Sequence, residues 1–302
     1  MTQVSREPTN AARTEACNDG HSTVGNWSVV GLLGEGPWSR VYRAKPLGSD
    51  ARAHSDYAIK VARQDAGTDT ATAIRLIRRE ASVGRTVAHP HLTCVLSSHV
   101  SQSPYYVVMP CLDGVTLEAA LAEAGIVLTP HALWIARQTA QAIRALHDHG
   151  WIHSDVKPDN IFVSQDGHVT LLDLGLARQI GHIECAGDGP LAGTMAYAAP
   201  EAFSSIDEIG PRSDIYSLGV TLFRMLTGTL PFTTHTAADL AAAHLRGTPP
   251  DPRRFNPLLP SRVVRLLKRM LTKQPSRRPC AAELVAWLAD LEIDTLDDRF
   301  AA

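Results

Sequence analysis

The segment WIHSDVKPDNIFV, residues 151–163, sets His153, Asp155, Lys157, Asp159 and Asn160 between apolar residues on both sides. Trp151 and Ile152 precede the polar groups, and Ile161, Phe162 and Val163 follow them. Apolar flanks of this kind anchor the ends of a loop in a core, so the groups between them are held rather than loose. Side chains of these types can take part in chemistry when a loop holds them in place. Taken alone, D-x-K-P-x-N equally suits an ordinary turn built on Pro158 and Asn160.

Other stretches carry comparable signals. Gly34-Glu35-Gly36-Pro37-Trp38-Ser39-Arg40-Val41 lies between two predicted strands, where glycines let backbone amides approach phosphate oxygens closely, although hairpin turns use the same residues. Ala58-Ile59-Lys60-Val61 puts a lysine inside an apolar strand. Only five of the 29 basic residues are lysines, so one at an inward-looking position is less readily explained as surface. Glu80, on the helix that follows, is placed to pair with Lys60 or to face solvent. Asp173-Leu174-Gly175 ends the strand TLLDLG, and an acid followed by a flexible glycine suits either a divalent cation or a turn.

The elements that must position these groups are legible from periodicity. Residues 1–25 contain hardly any large apolar side chains and read as a disordered arm, which cannot offset the entropy of ordering itself. From Trp27, WSVVGLLGEG, SRVYRA and DYAIKVA alternate as antiparallel strands, and TATAIRLIRREASVGRTV follows as a helix with Ile74, Ile77 and Ala81 at helical spacing. VLSSHV and YYVVMP read as further strands. Beyond Asp113-Gly114 the texture is helical, with Ile135, Ala142, Ile143 and Leu146 on one face of WIARQTAQAIRALHDHG. IFVSQDGHVTLLDL reads as a strand pair, residues from Gly175 to about Pro200 as irregular, and the rest to Leu291 as helices.

Composition narrows the class. A chain of 302 residues, 44% hydrophobic and 20% charged, can bury a substantial core. A net charge of −2 gives no reason to expect nucleic acid or anionic lipid as a partner. Cys17, Cys94, Cys111, Cys185 and Cys280 lie too far apart for a disulfide framework or zinc motif, which fits a reducing, cytoplasmic compartment. No apolar run approaches the roughly 18 residues of a membrane span, and the N-terminus lacks the apolar core of a secretory signal.

Taken together and in this order, the motifs resemble the eukaryotic-type (Hanks-type) serine/threonine protein kinases from Trp27 to Leu291. The family's signature is a glycine-rich loop, a strand lysine, a helix glutamate, H-R-D-x-x-x-x-N, D-F-G and A-P-E. Here these read GEGPWSRV, AIK, Glu80, His153-Ser154-Asp155 with Asn160, Asp173-Leu174-Gly175 and Ala199-Pro200-Glu201. SDIYSLGVTLFRMLTGTLPF and QPSRRPC are similar to its later landmarks.

The resemblance implies an α+β, bilobal fold, with a small antiparallel β-rich N-lobe over residues 26–111, a helical C-lobe over 112–292, an ATP cleft between them and a tail over 293–302. It implies that Asp155 orients or deprotonates the attacking hydroxyl while Lys157 neutralises charge on the transferring phosphoryl group. Asn160 and Asp173 would hold Mg²⁺ or Mn²⁺, and Lys60, fixed by Glu80, would position the ATP phosphates. Gly34, Gly36 and Ser39 would form the phosphate loop. Leu33, Val41, Ala58, Met109, Phe162 and Leu172 would line the adenine site, with hinge hydrogen bonds from the Pro110 carbonyl and the Leu112 backbone. His153 is a packing residue on this reading. Asp155-Val156-Lys157-Pro158 is similar to the serine/threonine branch, and Thr194 would shape the pocket after the phosphoacceptor, so the implied partners are proteins with Ser or Thr acceptors. The acids Asp159, Glu184 and Asp188 could favour basic flanks on such a partner, although scattered surface acids are ordinarily no more than solvated groups.

Three positions depart from the pattern. Ser39 replaces the third loop glycine, Leu174 the phenylalanine, and Ser154 the arginine that grips an activation-segment phosphate. Residues 174–193 contain no Ser, Thr or Tyr. The expectation is therefore activity without phosphorylation of this segment, which Leu176, Ile180, Ile183, Leu191 and a Glu201–Arg278 ion pair would order. The competing readings are an inactive kinase-like scaffold and a small-molecule kinase of the aminoglycoside type.

Overall fold

In the computed structural model of the chain, residues 23–50, 54–181, 195–204 and 208–295 are described. The alternating runs form β1 (Thr23–Val24), β2 (Trp27–Glu35), β3 (Ser39–Pro46), β4 (Tyr57–Ala62), β5 (Ser97–His99) and β6 (Tyr106–Pro110). They make one antiparallel sheet in the order β1-β2-β3-β4-β6-β5. Because side chains alternate across a strand, each face has its own cluster. Ala44, Ile59, Tyr106 and Val108 pack on one face, while Ala62 and Val107 on the other meet Ala73, Ile77 and Ala81 of α1 (Thr70–Thr86). The buried stripe of α1 thus runs through Ala73, Ile77 and Ala81, with Ile74 half-buried beside it.

Strand structure begins at Thr23, inside the segment expected as an arm. Val24 pairs with Trp27 and packs with it and Tyr57 against the sheet, which offsets the cost of ordering these residues. The remainder of that arm, residues 1–22, lies outside the described residues, as do residues 296–302 of the expected tail.

The chain forms two compact units, one containing residues up to 81 together with 95–112, the other 82–94 with the chain from 113. The second unit is built from α2 (Leu117–Ala124), α3 (Thr129–Asp148), α4 (Glu201–Ser204), α5 (Pro211–Thr227), α6 (Ala237–Arg246), α7 (Ser261–Met270) and α8 (Ala281–Asp294). Its strands are β7 (Gly114–Thr116), β8 (Trp151–Ile152), β9 (Ile161–Ser164), β10 (Val169–Leu171) and β11 (Arg178–Gln179). α5 is buried on almost every side from Ser213 to Leu226, with only Arg224 of that stretch half-buried. Gly219 lets α7 close on it, since a Cβ there would lie 2.8 Å from the Cβ of Met270. The expected face of α3, Ile135, Ala142, Ile143 and Leu146, is buried in the same cluster.

The hairpin of β9 and β10 does the positioning. Ile161 pairs with Leu171 and Val163 with Val169, so Asn160, before β9, and Asp173, after β10, emerge at the same end. The Leu172 N–H donates to the Asn160 carbonyl at 2.8 Å and closes that end.

Candidate active site

In the first unit, Lys60 lies on the face of β4 that α1 covers. Its Nζ is 2.8 Å from Glu80 Oε2, and the carboxylate side chain is only 1% exposed. Two charges at that depth persist because each offsets the other's desolvation. In the sheet register Val41 stands opposite Lys60 and Ala58 opposite Met109, so all four share one face. Ala58 is buried and Val41, Met109, Pro110 and Leu112 are half-buried. Leu33 sits at a bulge of β2 and is exposed.

The loop between β2 and β3 is tied at its base. The Gly36 N–H donates to the Ser39 carbonyl at 2.8 Å, and Arg63 donates to the Gly36 carbonyl at 3.0 Å. Arg40 and Arg63 both pair with Glu35 and Asp65. The hydrogen bond from Arg40, then that from Arg63, holds the Asp65 carboxyl below its ordinary range.

In the second unit, Asp155, Lys157 and Asn160 come together on the turn between β8 and β9. Lys157 Nζ lies 2.8 Å from Asp155 Oδ2, and the Asn160 amide donates to the same carboxylate oxygen and to the Asp155 carbonyl, each at 2.8 Å. Asp155 is buried apart from its edge, while Asp159 faces solvent. His153 is wholly buried: Nε2–H donates to the Leu172 carbonyl at 2.9 Å, and Nδ1 accepts from the Asp155 N–H at 3.3 Å. Both ring nitrogens are engaged, which matches its reading as a packing residue. Phe162 and Leu172 are half-buried.

Ser154 and Asp173 are the two non-glycine residues with left-handed backbone among the described residues, at φ 68° and 62°. Such conformations cost about 1–3 kcal/mol each and persist where the surroundings over-determine them. At Ser154 the determinant is Asp214, which the sequence reading left unassigned within SDIYSLG. From α5, its carboxylate accepts the N–H groups of His153 and Ser154 and a bond from His147 Nε2, each at 2.9 Å. Burial is the largest influence on this carboxyl and pushes it up. The hydrogen bond and charge of His147, with smaller contributions from His153, outweigh it and hold the group below its ordinary range. An acid set on a helix that is buried almost throughout was the available signal.

A second cluster that sequence reasoning missed joins α2, α5 and the chain after residue 194. Arg224 donates to both carboxylate oxygens of Glu118, at 2.6 and 2.8 Å, and to the Tyr197 hydroxyl. The expected pair of Glu201 with Arg278 is present. Of the residues expected to order the segment after Asp173, Leu176 is half-buried, but Ile180 is 39% exposed. Ile183, Glu184, Asp188, Leu191 and Thr194 lie outside the described residues.

A β-sheet unit with a buried lysine–glutamate pair, and a helical unit presenting Asp155, Lys157, Asn160 and Asp173, define the protein-kinase class of fold. Residues 27–287 match the family model for the protein kinase domain, and the chain belongs to that family. It is 30% identical over 270 residues to the serine/threonine-protein kinase PrkC of Bacillus subtilis, covering 89% of this chain and 40% of that protein. It is 34% identical over 262 residues to PknB of Mycolicibacterium smegmatis, covering 84% and 41%, and 33% identical over 276 residues to PknD of Mycobacterium tuberculosis, covering 91% and 40%. The chain thus spans about two fifths of the length of these relatives. Among the described residues, no helix is long and apolar enough to cross a membrane.

Proposed function

We propose that this chain transfers the γ-phosphate of ATP to Ser or Thr hydroxyls of protein substrates. The observation that carries this reading is the Asp155 carboxylate, held between Lys157 and the Asn160 amide. A carboxylate oriented by two donors is suited to align an acceptor hydroxyl and take its proton as the oxygen attacks phosphorus, and Lys157 supplies positive charge where the phosphoryl group gains negative charge. The relatives' names, all serine/threonine-protein kinases, support the acceptor class.

The residues fit a magnesium nucleotide. With its N–H groups spent on Asp155, Asn160 offers a carbonyl oxygen, and Asp173 offers a carboxylate. No cluster of three or more His, Cys, Asp or Glu side chains forms a metal cage among the described residues. Two hard oxygen donors suit Mg²⁺, which keeps most of its shell for water and phosphate, and Mn²⁺ accepts the same oxygen set. When bound, the ion supplies charge neutralisation across the phosphates. Lys60 would hold the α- and β-phosphates, with Glu80 fixing its position. A Cβ at Gly34 would meet nothing within 4 Å, so the protein's own packing does not require glycine there; close approach of a phosphate does. In the first unit Leu33, Val41, Ala58, Met109, the Pro110 carbonyl and Leu112 would serve the base, and in the second Phe162 and Leu172 would do so. Thr194 would shape the acceptor pocket.

On this reading the enzyme works in the cytoplasm and needs no phosphate on residues 174–193, since Ser154 stands where a cationic receptor for it would be. The test is incubation of the purified chain with Mg²⁺, labelled ATP and separate protein and aminoglycoside acceptors, beside Asp155→Asn. Phosphoserine or phosphothreonine made by the parent alone is the expected result. Label in the small molecule, or no transfer above the variant, would overturn the assignment.

A further inference from the structure

His244, on α6, is completely buried yet belongs to none of the clusters described above. The hydrogen bonds around it run in one direction. Lys273 donates from Nζ to the carbonyls of His244 at 2.6 Å and Ala243 at 3.3 Å, and reaches the Tyr216 hydroxyl at 3.5 Å. An ammonium only donates, so it cannot take the buried Tyr216 hydroxyl proton, and the acceptor within reach of that proton is His244 Nδ1, 3.0 Å away. The remaining ring proton is therefore on Nε2. That N–H is buried without a hydrogen bond of full geometry, and the partner it faces is the Ala196 backbone.

The imidazole is held in place by three rings, Phe232, Phe203 and Tyr216, with centroids 5.1, 5.8 and 5.8 Å away. A phenylalanine would fill that space and leave no buried N–H short of a partner, so packing alone does not call for histidine. The segment it faces is gripped on either side. Arg224 donates to the Tyr197 hydroxyl, and Arg278 holds Glu201 while its guanidinium lies over the Tyr216 ring, 4.9 Å from the centroid.

We propose that His244 is a positioning residue for the protein acceptor. Its Nε2–H completes a hydrogen bond to the Ala196 carbonyl when residues 195–200 take the form that seats the acceptor chain, and Tyr216 and Lys273 set the tautomer that makes this bond available. The inference rests on the proposed kinase function, because it takes residues 195–200 as part of the acceptor's seat.

The experiment combines steady-state kinetics with amide hydrogen exchange on the full chain. His244→Phe is expected to raise KM for an acceptor peptide about fivefold, the equivalent of one net hydrogen bond, with KM for ATP and peptide-free ATP hydrolysis unchanged. Exchange at residues 195–200 rises in the same variant. Tyr216→Phe keeps the ring, loses only the hydroxyl and gives the same pattern, so it decides the matter should His244→Phe fail to fold. His244→Gln, which returns an amide N–H near the Nε2 position, restores both readouts. Parent-like exchange at 195–200 in the variants, or a fall in kcat with peptide KM unchanged, would overturn the proposal. If the parent phosphorylates no acceptor, the kinase assignment fails by itself, while the exchange comparison still decides whether His244 orders this segment.

Discussion

Glu201 and Arg278, 77 residues apart in the chain, meet through two parallel N–H···O bonds of 2.6 and 2.8 Å, with 3% and 0% of their side chains exposed. Arg278 also donates to the carbonyls of Thr272, Arg212 and Lys273, so its donors are used inside the protein. Removing one partner strands a charge without water. Arg278→Ala is expected to cost about 3–5 kcal/mol of folding stability by denaturant titration, and Arg278→Met with Glu201→Leu together clearly less than the two single changes summed. Additive costs would mean that the pair is not the unit of stability.

Lys60 and Glu80 make a second buried pair, and here stability and activity should separate. Lys60→Met is expected to fold but lose about 100-fold or more in phosphoryl transfer. Adding Glu80→Gln to it relieves the stranded carboxylate and recovers melting temperature, with no recovery of rate. Recovery of rate by the double variant would remove Lys60 from the phosphate-binding role.

Asp155→Asn keeps the size of the side chain and its place beside Lys157 and Asn160, but not its charge or basicity. Transfer is expected to fall by about 100- to 10,000-fold with the circular dichroism of the parent retained. Turnover like that of the parent would sink the catalytic assignment.

Ser154 gives its N–H to Asp214 and keeps a buried hydroxyl where a phosphate-binding arginine is absent. Protein made with a co-expressed phosphatase and shown by mass spectrometry to carry no phosphate should keep its initial rate on a generic acceptor. A rate more than about tenfold lower, roughly 1.4 kcal/mol in barrier, and restored by phosphate between residues 174 and 200, would refute this.

The pH dependence of stability should carry the mark of His244. Burial first, then the charge of Lys273, brings its imidazole down to about 4 from an ordinary 6.5. Between those values the unfolded chain takes up a proton that the folded chain refuses. The stabilisation is therefore complete above 6.5 and is lost as the pH falls toward 4, by about 3 kcal/mol at most. Melting curves at pH 7 and 4.5 should show a larger drop for the parent than for His244→Phe. Equal drops would mean that this ring does not stay neutral.

The order of motifs from GEGPWSRV to Ala199-Pro200-Glu201 carried the family by itself, because catalysis by positioned charge requires particular residue types at particular points of a strand, a turn and a helix. The strand alternation after Trp27 and the apolar face of α3 were likewise legible, since periodicity is a local property. Tertiary structure alone decided how the turn is held. Asp214 lies 60 and 61 residues from the N–H groups it accepts, and nothing local to SDIYSLG marks it as the anchor of a left-handed Ser154. The same holds for the line from Lys273 through Tyr216 to His244, three residues on three separate stretches of chain. A buried polar group is satisfied by whatever the fold brings within about 3 Å, and sequence spacing carries no record of that distance.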